Sequence, residues 1–285
     1  MAVDPTPETP DRSLPDSDVS FAQMMALEPH GADTYVGIGP RYPWGGLYGG
    51  QIVAQSLRAA GLSVDTPHLP HSLHAYFIRP GDHTEPIRFE VDRIRNGRSF
   101  TTRRVVARQS IGAILNLAAS FHAAEDAVDV QPHALPAGVG PPDSYGNTTW
   151  SHVFDRRPVE IDAGVNVAAS VAWMRMTEPV TNDPLTQACA LAYLSDDLPT
   201  EAVALEHPDH RARPEDGDFD QLFMSASLDH AIWFHRPLDA GRWHLHDLRS
   251  RGQTGSRGLA IGDVFAEDGT HAATISQEVL LRRRR

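Results

Sequence analysis

The sequence predicts an α+β protein made of two similar halves in tandem, each an antiparallel sheet wrapped around a central helix. Two observations predict this: a faint internal repeat relates the halves, and both halves show the same order of elements. The chain has 285 residues, 41% hydrophobic and 22% charged. That length and composition are sufficient for two domains of average size.

The repeat is carried by two landmarks in each half. Residues 74–80 resemble residues 230–237, and the prolines that end these segments are 157 residues apart (237 − 80). Ser120 and Ser276, each on the last predicted strand of its half, are 156 residues apart (276 − 120). Two landmarks that agree within one residue indicate a duplicated unit. This alignment places Gln277 opposite Phe121.

Each half predicts one long apolar helix followed by antiparallel strands. Apolar residues recur near helical spacing over residues 50–60, with Gly61 as the expected stop. In the second half, Asp183 is expected to cap a helix that begins at Pro184 and continues to about Leu194. A sheet wrapped around its helix buries both apolar surfaces, which is the hotdog arrangement, predicted here twice. Three segments alternate as strands do: 87–91, 103–107 and 243–248.

The domain boundaries follow from changes in composition. Residues 1–18 are rich in Pro, Asp and Ser and predict a disordered leader rather than a signal peptide. Residues 123–146 turn to Ala, Asp, Pro and Gly and predict a linker without regular elements. The expected hotdog domains are therefore residues 19–122 and 147–285.

Composition excludes several classes of function. The formal net charge of −12 argues against a nucleic-acid binder, and the chain contains no lysine for Schiff-base or pyridoxal chemistry. The single cysteine, Cys189, excludes an intramolecular disulfide framework and fits a reducing compartment. No apolar run approaches the length of a membrane span. We therefore expect a cytoplasmic protein, and the sequence predicts neither a metal site nor a cofactor.

An ordered set of motifs, spread over residues 20 to 283, resembles the acyl-CoA thioesterase II family, in which two hotdog domains are fused in one chain. The resemblance implies hydrolysis of medium- or long-chain fatty acyl-CoA to free fatty acid and CoA, with acyl-CoA as the partner. The motifs that carry it are Gly45-Gly46-Leu47-Tyr48-Gly49-Gly50-Gln51, His71-Ser72-Leu73-His74-Ala75-Tyr76-Phe77, Arg95-Asn96-Gly97-Arg98, Tyr193-Leu194-Ser195-Asp196, Ser227-Leu228-Asp229-His230-Ala231, Ser256-Arg257-Gly258 and Gln277-Glu278.

The same resemblance implies that Asp196, Ser227 and Gln277 hold the attacking water. A carboxylate can take the proton of the water, while a hydroxyl and a carboxamide fix its remaining hydrogen bonds. Taken alone, Asp196 and the adjacent Asp197 would ordinarily be solvated acids, and Ser227 a structural hydroxyl. Gln277 is more suggestive, because its expected repeat partner is the apolar Phe121. The second half is therefore expected to be the active one.

Other residues have two interpretations. Gly49 and Gly50 could offer backbone N–H groups to substrate, or they could allow a helix to approach a sheet closely. Arg98 and Arg257 could reach the CoA phosphates or simply lie on the surface. The motif with Asp229 and His230 is expected to support the site rather than to react. His235 is expected to support the site in the same way, and Arg95 and Arg103 have the same two interpretations as the other arginines.

Two other functions compete with hydrolysis. A hotdog hydratase would need an Asp and a His where this chain has Thr181 and Thr186, so it is disfavoured. A non-catalytic acyl-CoA-binding protein is the other alternative, because the fold alone does not establish function. The family pattern also commonly has Gly after Gln-Glu, where this chain has Val279. Exposed sheet edges tend to pair, which predicts a homo-oligomer.

Overall fold

The computed structural model describes residues 19–65, 67–160, 169–212 and 219–284, so the predicted leader lies outside the described residues. The elements of the first half are α1 (Phe21–Met25), β1 (Glu28–Pro29), β2 (Thr34–Gly37), α2 (Gly49–Leu62), β3 (His68–Phe77), β4 (Ile87–Asn96), β5 (Phe100–Gln109) and β6 (Gly112–Ala123). Those of the second half are β7 (Phe154–Pro158), β8 (Ala169–Met176), α3 (Pro184–Leu194), α4 (Pro199–Glu206), α5 (Pro208–Arg211), α6 (Phe219–Leu222), β9 (Phe223–Ser227), β10 (Asp229–Phe234), β11 (His244–Thr254), β12 (Arg257–Ala266) and β13 (His271–Arg283).

The segment between the halves is nearly free of regular structure, as predicted. Residues 124–141 contain no helix or strand, and one 3₁₀ turn, Pro142–Ser144, follows them. The segment is anchored on the second half, where the backbone N–H of His271 donates to Gln131 Oε1 at 2.9 Å. In the parts of the chain that the structure describes, no helix is long and apolar enough to span a membrane.

The prediction of an α+β fold is confirmed, but the prediction of two separate sheets is wrong. The two halves share one continuous antiparallel sheet, joined where β3 pairs with β10. The unpaired edge of each half satisfies its backbone N–H and C=O groups on the other, which removes two exposed edges at once. The strand order is β1-β2-β4-β5-β6-β3-β10-β13-β12-β11-β8-β7, with β9 also paired to β13.

The two long helices, α2 and α3, lie antiparallel against each other in the core. A β-carbon on Gly50 would lie 2.2 Å from the carbonyl oxygen of Tyr193, and one on Gly61 would lie 2.4 Å from Leu185 Cδ2. Gly61 therefore permits close helix packing and does not stop α2, which ends at Leu62. The predicted cap of α3 is confirmed, because Asp183 Oδ2 accepts from Thr186 N at 3.1 Å. The end of α3 thus meets the beginning of α2.

The strand register relates the two halves residue by residue. Leu73 pairs with Ile232, and Ala75 pairs with His230. At the ends of these strands, Ile78 and Arg79 both donate their N–H groups to the carbonyl oxygen of Ile114, and His235 and Arg236 both donate to that of Ala272. The two strands are therefore related by 157 residues, and Leu73 is equivalent to His230. Leu73 pairs in turn with Ala119. One step beyond the pair Ala231↔Ser276, His230 stands beside Gln277.

Gln277 is therefore equivalent to Ala119, 158 residues earlier, and the sequence alignment that placed it opposite Phe121 is wrong. Two residues separate the alignments: the serine landmark, at 156, did not relate equivalent positions, and the hairpin between β12 and β13 has one additional residue, which raises the offset from 157 to 158. The last regular pair before the bulge is Ala107↔Leu115 in the first half and Val264↔Ala273 in the second. Ala119 is only 1% exposed, so the position is still apolar and buried in the first half.

Candidate active site

Asp196 lies where the two halves meet, directly after the last turn of α3. Its carboxylate faces the first turn of α2, and the backbone N–H of Gly50 donates a hydrogen bond to it. The N-cap of α2, Tyr48, makes no side-chain capping bond, so a carboxylate from the other half takes that place. A β-carbon on Gly49 would lie 2.6 Å from Asp196 Oδ2. Glycine at this position lets the helix approach the carboxylate.

Ser227 and Gln277 converge on the same carboxylate from the sheet. Ser227 ends β9 and is paired with Val279 of β13, which places it next to Gln277. The Ser227 hydroxyl donates to Asp196 Oδ1 at 3.4 Å, and Gln277 Nε2 donates to Ser227 Oγ at 2.8 Å. Gln277 is fully buried, while Asp196 is 8% exposed. The structure thus brings together the three residues expected to hold the water.

The pKa of Asp196 is raised to about 7, mainly because burial disfavours the charged carboxylate. The negative charge of Asp197 raises this pKa further, whereas hydrogen bonds from Gln277, Gly50 and Ser227 lower it. A carboxyl group with this pKa exchanges a proton readily near neutral pH. That is the property required of a general base.

Asp197 is buried as well, but it faces a different set of partners. Trp150 Nε1 donates to Asp197 Oδ1 at 2.6 Å, and Arg156 Nε lies 3.4 Å from Asp197 Oδ2. Arg156 also forms an ion pair with Glu201. The alternative that Asp196 and Asp197 are two solvated acids is therefore wrong: the second anchors a buried ion-pair network that supports the turn after α3.

Of the two residues in the Asp-His motif, the structure connects only His230 with the candidate site. His230 is fully buried, and its Nδ1 donates to Gln277 Oε1 at 2.5 Å. Its Nε2 lies 2.8 Å from Ser195 Oγ. Asp229 points to the opposite face of the sheet, where its carboxylate accepts from the backbone N–H of Glu278 at 2.6 Å.

The arginines expected to bind CoA do not contact these residues. Arg257 pairs with Leu280, three positions beyond Gln277, so it lies on the other face of the sheet and binds Glu278 at 2.9 Å. Arg98 lies in the hairpin between β4 and β5 of the first half, and its carbonyl oxygen accepts from His68. The other open residues have local contacts: Arg103 is buried and bonds Ser63, Arg95 O and Asn96, while His235 bonds Thr274.

Among the residues that the structure describes, the polar set occurs once. Ser63 Oγ lies 2.8 Å from the carbonyl oxygen of Ala60, and Ser195 Oγ lies 3.0 Å from that of Ala192, three residues earlier in each helix, so Val64 is the equivalent of Asp196. Pro70 pairs with Phe121 as Ser227 pairs with Val279, so Pro70 is the equivalent of Ser227. The second half thus has four polar residues, Asp196, Ser227, His230 and Gln277, where the first has Val64, Pro70, Leu73 and Ala119.

Cys189 is the single cysteine of the chain, and its thiol is free. It is fully buried on α3, and burial raises the pKa of its thiol. A thiol held neutral in this way is a poor nucleophile. Within the described ranges, no cluster of three or more His, Cys, Asp or Glu side chains could hold a metal ion.

Sequence reasoning missed Ser195 and the network of Asp197, Arg156 and Trp150. Ser195 precedes Asp196 directly, but its contact with His230 joins residues 35 positions apart and depends on where α3 ends against β10. Arg156 stands between Asp155 and Arg157 in a short strand, and this pattern does not identify a partner.

Comparisons with known proteins agree with this architecture. A family model described as the acyl-CoA thioesterase N-terminal domain matches residues 39–125, and one described as the C-terminal domain matches residues 125–281. The chain is 35% identical over 259 residues to acyl-CoA thioesterase 2 of Haemophilus influenzae, covering 83% of this chain and 87% of that protein.

Solved structures show the same similarity. The acyl-CoA thioesterase II TesB2 of Mycobacterium marinum matches with a TM-score of 0.80 and 33% identity, covering 93% of this chain and 97% of that one. A hot dog fold protein of unknown function from Alicyclobacillus acidocaldarius matches with a TM-score of 0.76 at 21% identity, covering 93% and 98%. The second match supports the fold alone.

Proposed function

Because the chain belongs to the acyl-CoA thioesterase family, we propose that it hydrolyses the thioester bond of acyl-CoA with a water molecule activated by Asp196. The observation that carries the proposal is the convergence of Asp196, Ser227 and Gln277 at the start of α2, with the pKa of the carboxyl group near neutrality. The products are a free fatty acid and CoA.

The reaction needs a positioned water, a base and stabilisation of the oxyanion. Asp196 takes a proton from the water, whose oxygen forms a bond to the thioester carbonyl carbon. Ser227 and Gln277 orient that water through a hydroxyl and a carboxamide. The C–S bond then breaks, and the proton held by Asp196 passes to the CoA thiolate.

The start of α2 is the proposed place for the developing oxyanion. The first N–H groups of a helix have no partner within the helix, and the helix dipole places positive charge there. Gly50 uses its N–H on Asp196. We assign the neighbouring N–H of Gly49 to the carbonyl oxygen of the substrate, which would lie close to the carboxylate that activates the water.

The proposal includes one reaction site per chain, in a second domain of residues 147–285, with residues 19–122 as a structural partner and residues 123–146 as the linker. The apolar equivalents Val64, Pro70 and Ala119 support it, because none can hold or deprotonate a water. The proposed substrates are medium- and long-chain acyl-CoAs, since the site borders the apolar core that surrounds both helices.

We also propose that the protein forms homo-oligomers and works in the cytoplasm. The edge strands β3 and β10 pair with each other within the chain. The support for an oligomer therefore comes from the outer face of these central strands. Tyr76 on β3 is 60% exposed there, and Trp233 on β10 is 36% exposed. Light scattering after size exclusion should show a mass above that of one chain, and a monomer would contradict the oligomer.

The test of the function is release of free thiol from acyl-CoAs of graded chain length, run in ¹⁸O-labelled water. We expect turnover that increases from short to medium and long chains, with one ¹⁸O atom in the fatty acid of a single turnover. Acyl-CoA that binds without thiol release would instead identify a non-catalytic binding protein. Preference for the shortest chains would contradict the proposed substrate class.

A further inference from the structure

We propose that His230 is a positioning residue, which holds the Gln277 carboxamide with its NH₂ group towards Ser227 and Asp196. The inference rests on the proposed hydrolysis and adds a residue to it. A glutamine side chain can rotate by half a turn and exchange its oxygen and nitrogen. In the wrong orientation its oxygen would face the carboxylate of Asp196, and two acceptors would oppose each other.

The contacts on both sides of Gln277 select the first orientation. Because Ser227 donates to Asp196, it accepts from the Gln277 NH₂ group, which leaves Oε1 facing His230. Nδ1 of the ring lies 2.5 Å from Gln277 Oε1, and a carboxamide oxygen only accepts. The proton must therefore be on Nδ1. Burial lowers the pKa of His230 to about 4, so the ring is neutral at ordinary pH and Nε2 is an acceptor. The Ser195 hydroxyl lies 2.8 Å from Nε2 and 3.0 Å from the carbonyl oxygen of Ala192, and we assign its one proton to the shorter contact, because an unprotonated Nε2 needs a donor.

The result is a chain of hydrogen bonds that all point the same way. Ser195 donates to His230, His230 to Gln277, Gln277 to Ser227, and Ser227 to Asp196. Such a chain is cooperative, because each donor is polarised by the bond before it. It begins and ends on neighbouring residues after α3 and closes a ring through the backbone.

The comparison between halves supports a role beyond packing. At the equivalent pair of positions the first half has Leu73 and Ala119, both buried and apolar. The fold therefore does not need a histidine or a glutamine there. Both polar residues occur together, in the half that also carries Asp196, as expected if one exists to orient the other.

A double-mutant cycle tests the inference, with His230→Leu, Gln277→Ala and the double variant, which restores the first-half pair. We expect His230→Leu to lower kcat by about 10- to 100-fold, the range found for partners that orient a reacting group, with a smaller change in KM. If His230 acts through Gln277, the double variant is no slower than Gln277→Ala. If the losses in kcat of the two single variants multiply in the double variant, the inference is overturned.

The pH profile separates positioning from a structural defect. Hydrogen bonds from Gln277 and Ser227 lower the pKa of Asp196. Loss of the oriented carboxamide should therefore move the acid limb of kcat to higher pH in His230→Leu and in Gln277→Ala alike. His230→Gln retains a donor and should recover part of the rate and of the shift. A lower kcat with an unmoved midpoint would indicate a structural lesion and contradict the inference.

Unfolding measurements keep the test independent of activity. Because His230→Leu leaves the buried Gln277 oxygen without a partner, that variant should unfold at lower urea concentration than the double variant. Equal or reversed midpoints would overturn the pairing. His74→Leu is the matched control, since His74 packs on Trp233 on the outer face, and it should leave kcat unchanged. If the wild type releases no thiol, only the proposed function is contradicted. The comparison of urea midpoints still tests whether His230 binds Gln277.

Discussion

Replacing Asp196 by asparagine should stabilise the protein against unfolding, and the gain should grow with pH. The pKa of Asp196 is about 7 in the folded protein, against an ordinary value of 3.8. Between these values the unfolded chain has released a proton that the folded chain retains. The free energy of unfolding of the wild type therefore falls by about 1.4 kcal/mol per pH unit over this window.

The magnitude follows from the window that the experiment spans. The folded pKa of Asp196 lies about 2 units above pH 5. The excess free energy of unfolding of Asp196→Asn over the wild type should therefore increase by about 3 kcal/mol between pH 5 and pH 8. Above the folded pKa it should level off. Asparagine keeps an oxygen that can accept from the N–H of Gly50, and Ser227, which donates to the carboxylate, can turn to accept from the new NH₂ group, so the substitution removes charge while retaining shape.

Urea unfolding followed by tryptophan fluorescence at four pH values measures the difference. Asp92→Asn is the control, because this carboxyl on β4 is 61% exposed and should give curves that follow the wild type at every pH. If the curves for Asp196→Asn and wild type remain parallel from pH 5 to pH 8, Asp196 does not carry a raised pKa. The argument for its role as a base would then fail.

Three further substitutions test other parts of the account. Gly49→Ala should lower kcat by at least about 10-fold, because its β-carbon would displace the Asp196 carboxylate. Gly146→Ala, whose β-carbon would meet open space, is the control. A Gly49→Ala variant as fast as this control would contradict the close approach of α2 to Asp196. Asp197→Asn should move the acid limb of kcat to lower pH, because its charge raises the pKa of Asp196, and a shift upward would refute this. Arg103→Met should lower the free energy of unfolding by about 3 kcal/mol, because buried partners such as Ser63 lose their donor. Its kcat should stay unchanged. A urea midpoint equal to that of the wild type would contradict this prediction.

Local signals in the sequence were sufficient to predict the two long helices, whereas Asp196 was singled out by the family resemblance, because its neighbours alone indicate a solvated acid. Asp183 followed by Pro184 marks the start of α3, and the apolar run after it carries the helix to Leu194. Asp196 follows directly. The same local logic failed at Gly61, where packing against Leu185 decides the outcome and no short-range signal reports that contact.

Long-range relations were harder to predict. The repeat was visible, but the serine landmark did not relate equivalent residues, and the last hairpin has one additional residue. Together these two differences shift the partner of Gln277 from Phe121 to Ala119. Joining of the two sheets through β3 and β10 depends on edges that look identical to free ones in sequence. The contact of His230 with Gln277 spans 47 positions and becomes evident only once the register is known.

The most direct test of the central claim is the pH dependence of kcat for hydrolysis of a long-chain acyl-CoA by wild type and Asp196→Asn. We predict that the wild-type rate increases with pH around a midpoint near 7, as the carboxyl group loses its proton. Asp196→Asn should bind the substrate but lose at least about 100-fold in kcat, the contribution typical of a general base, and should lack that limb. A variant that retains the wild-type rate and profile would contradict activation of water by Asp196.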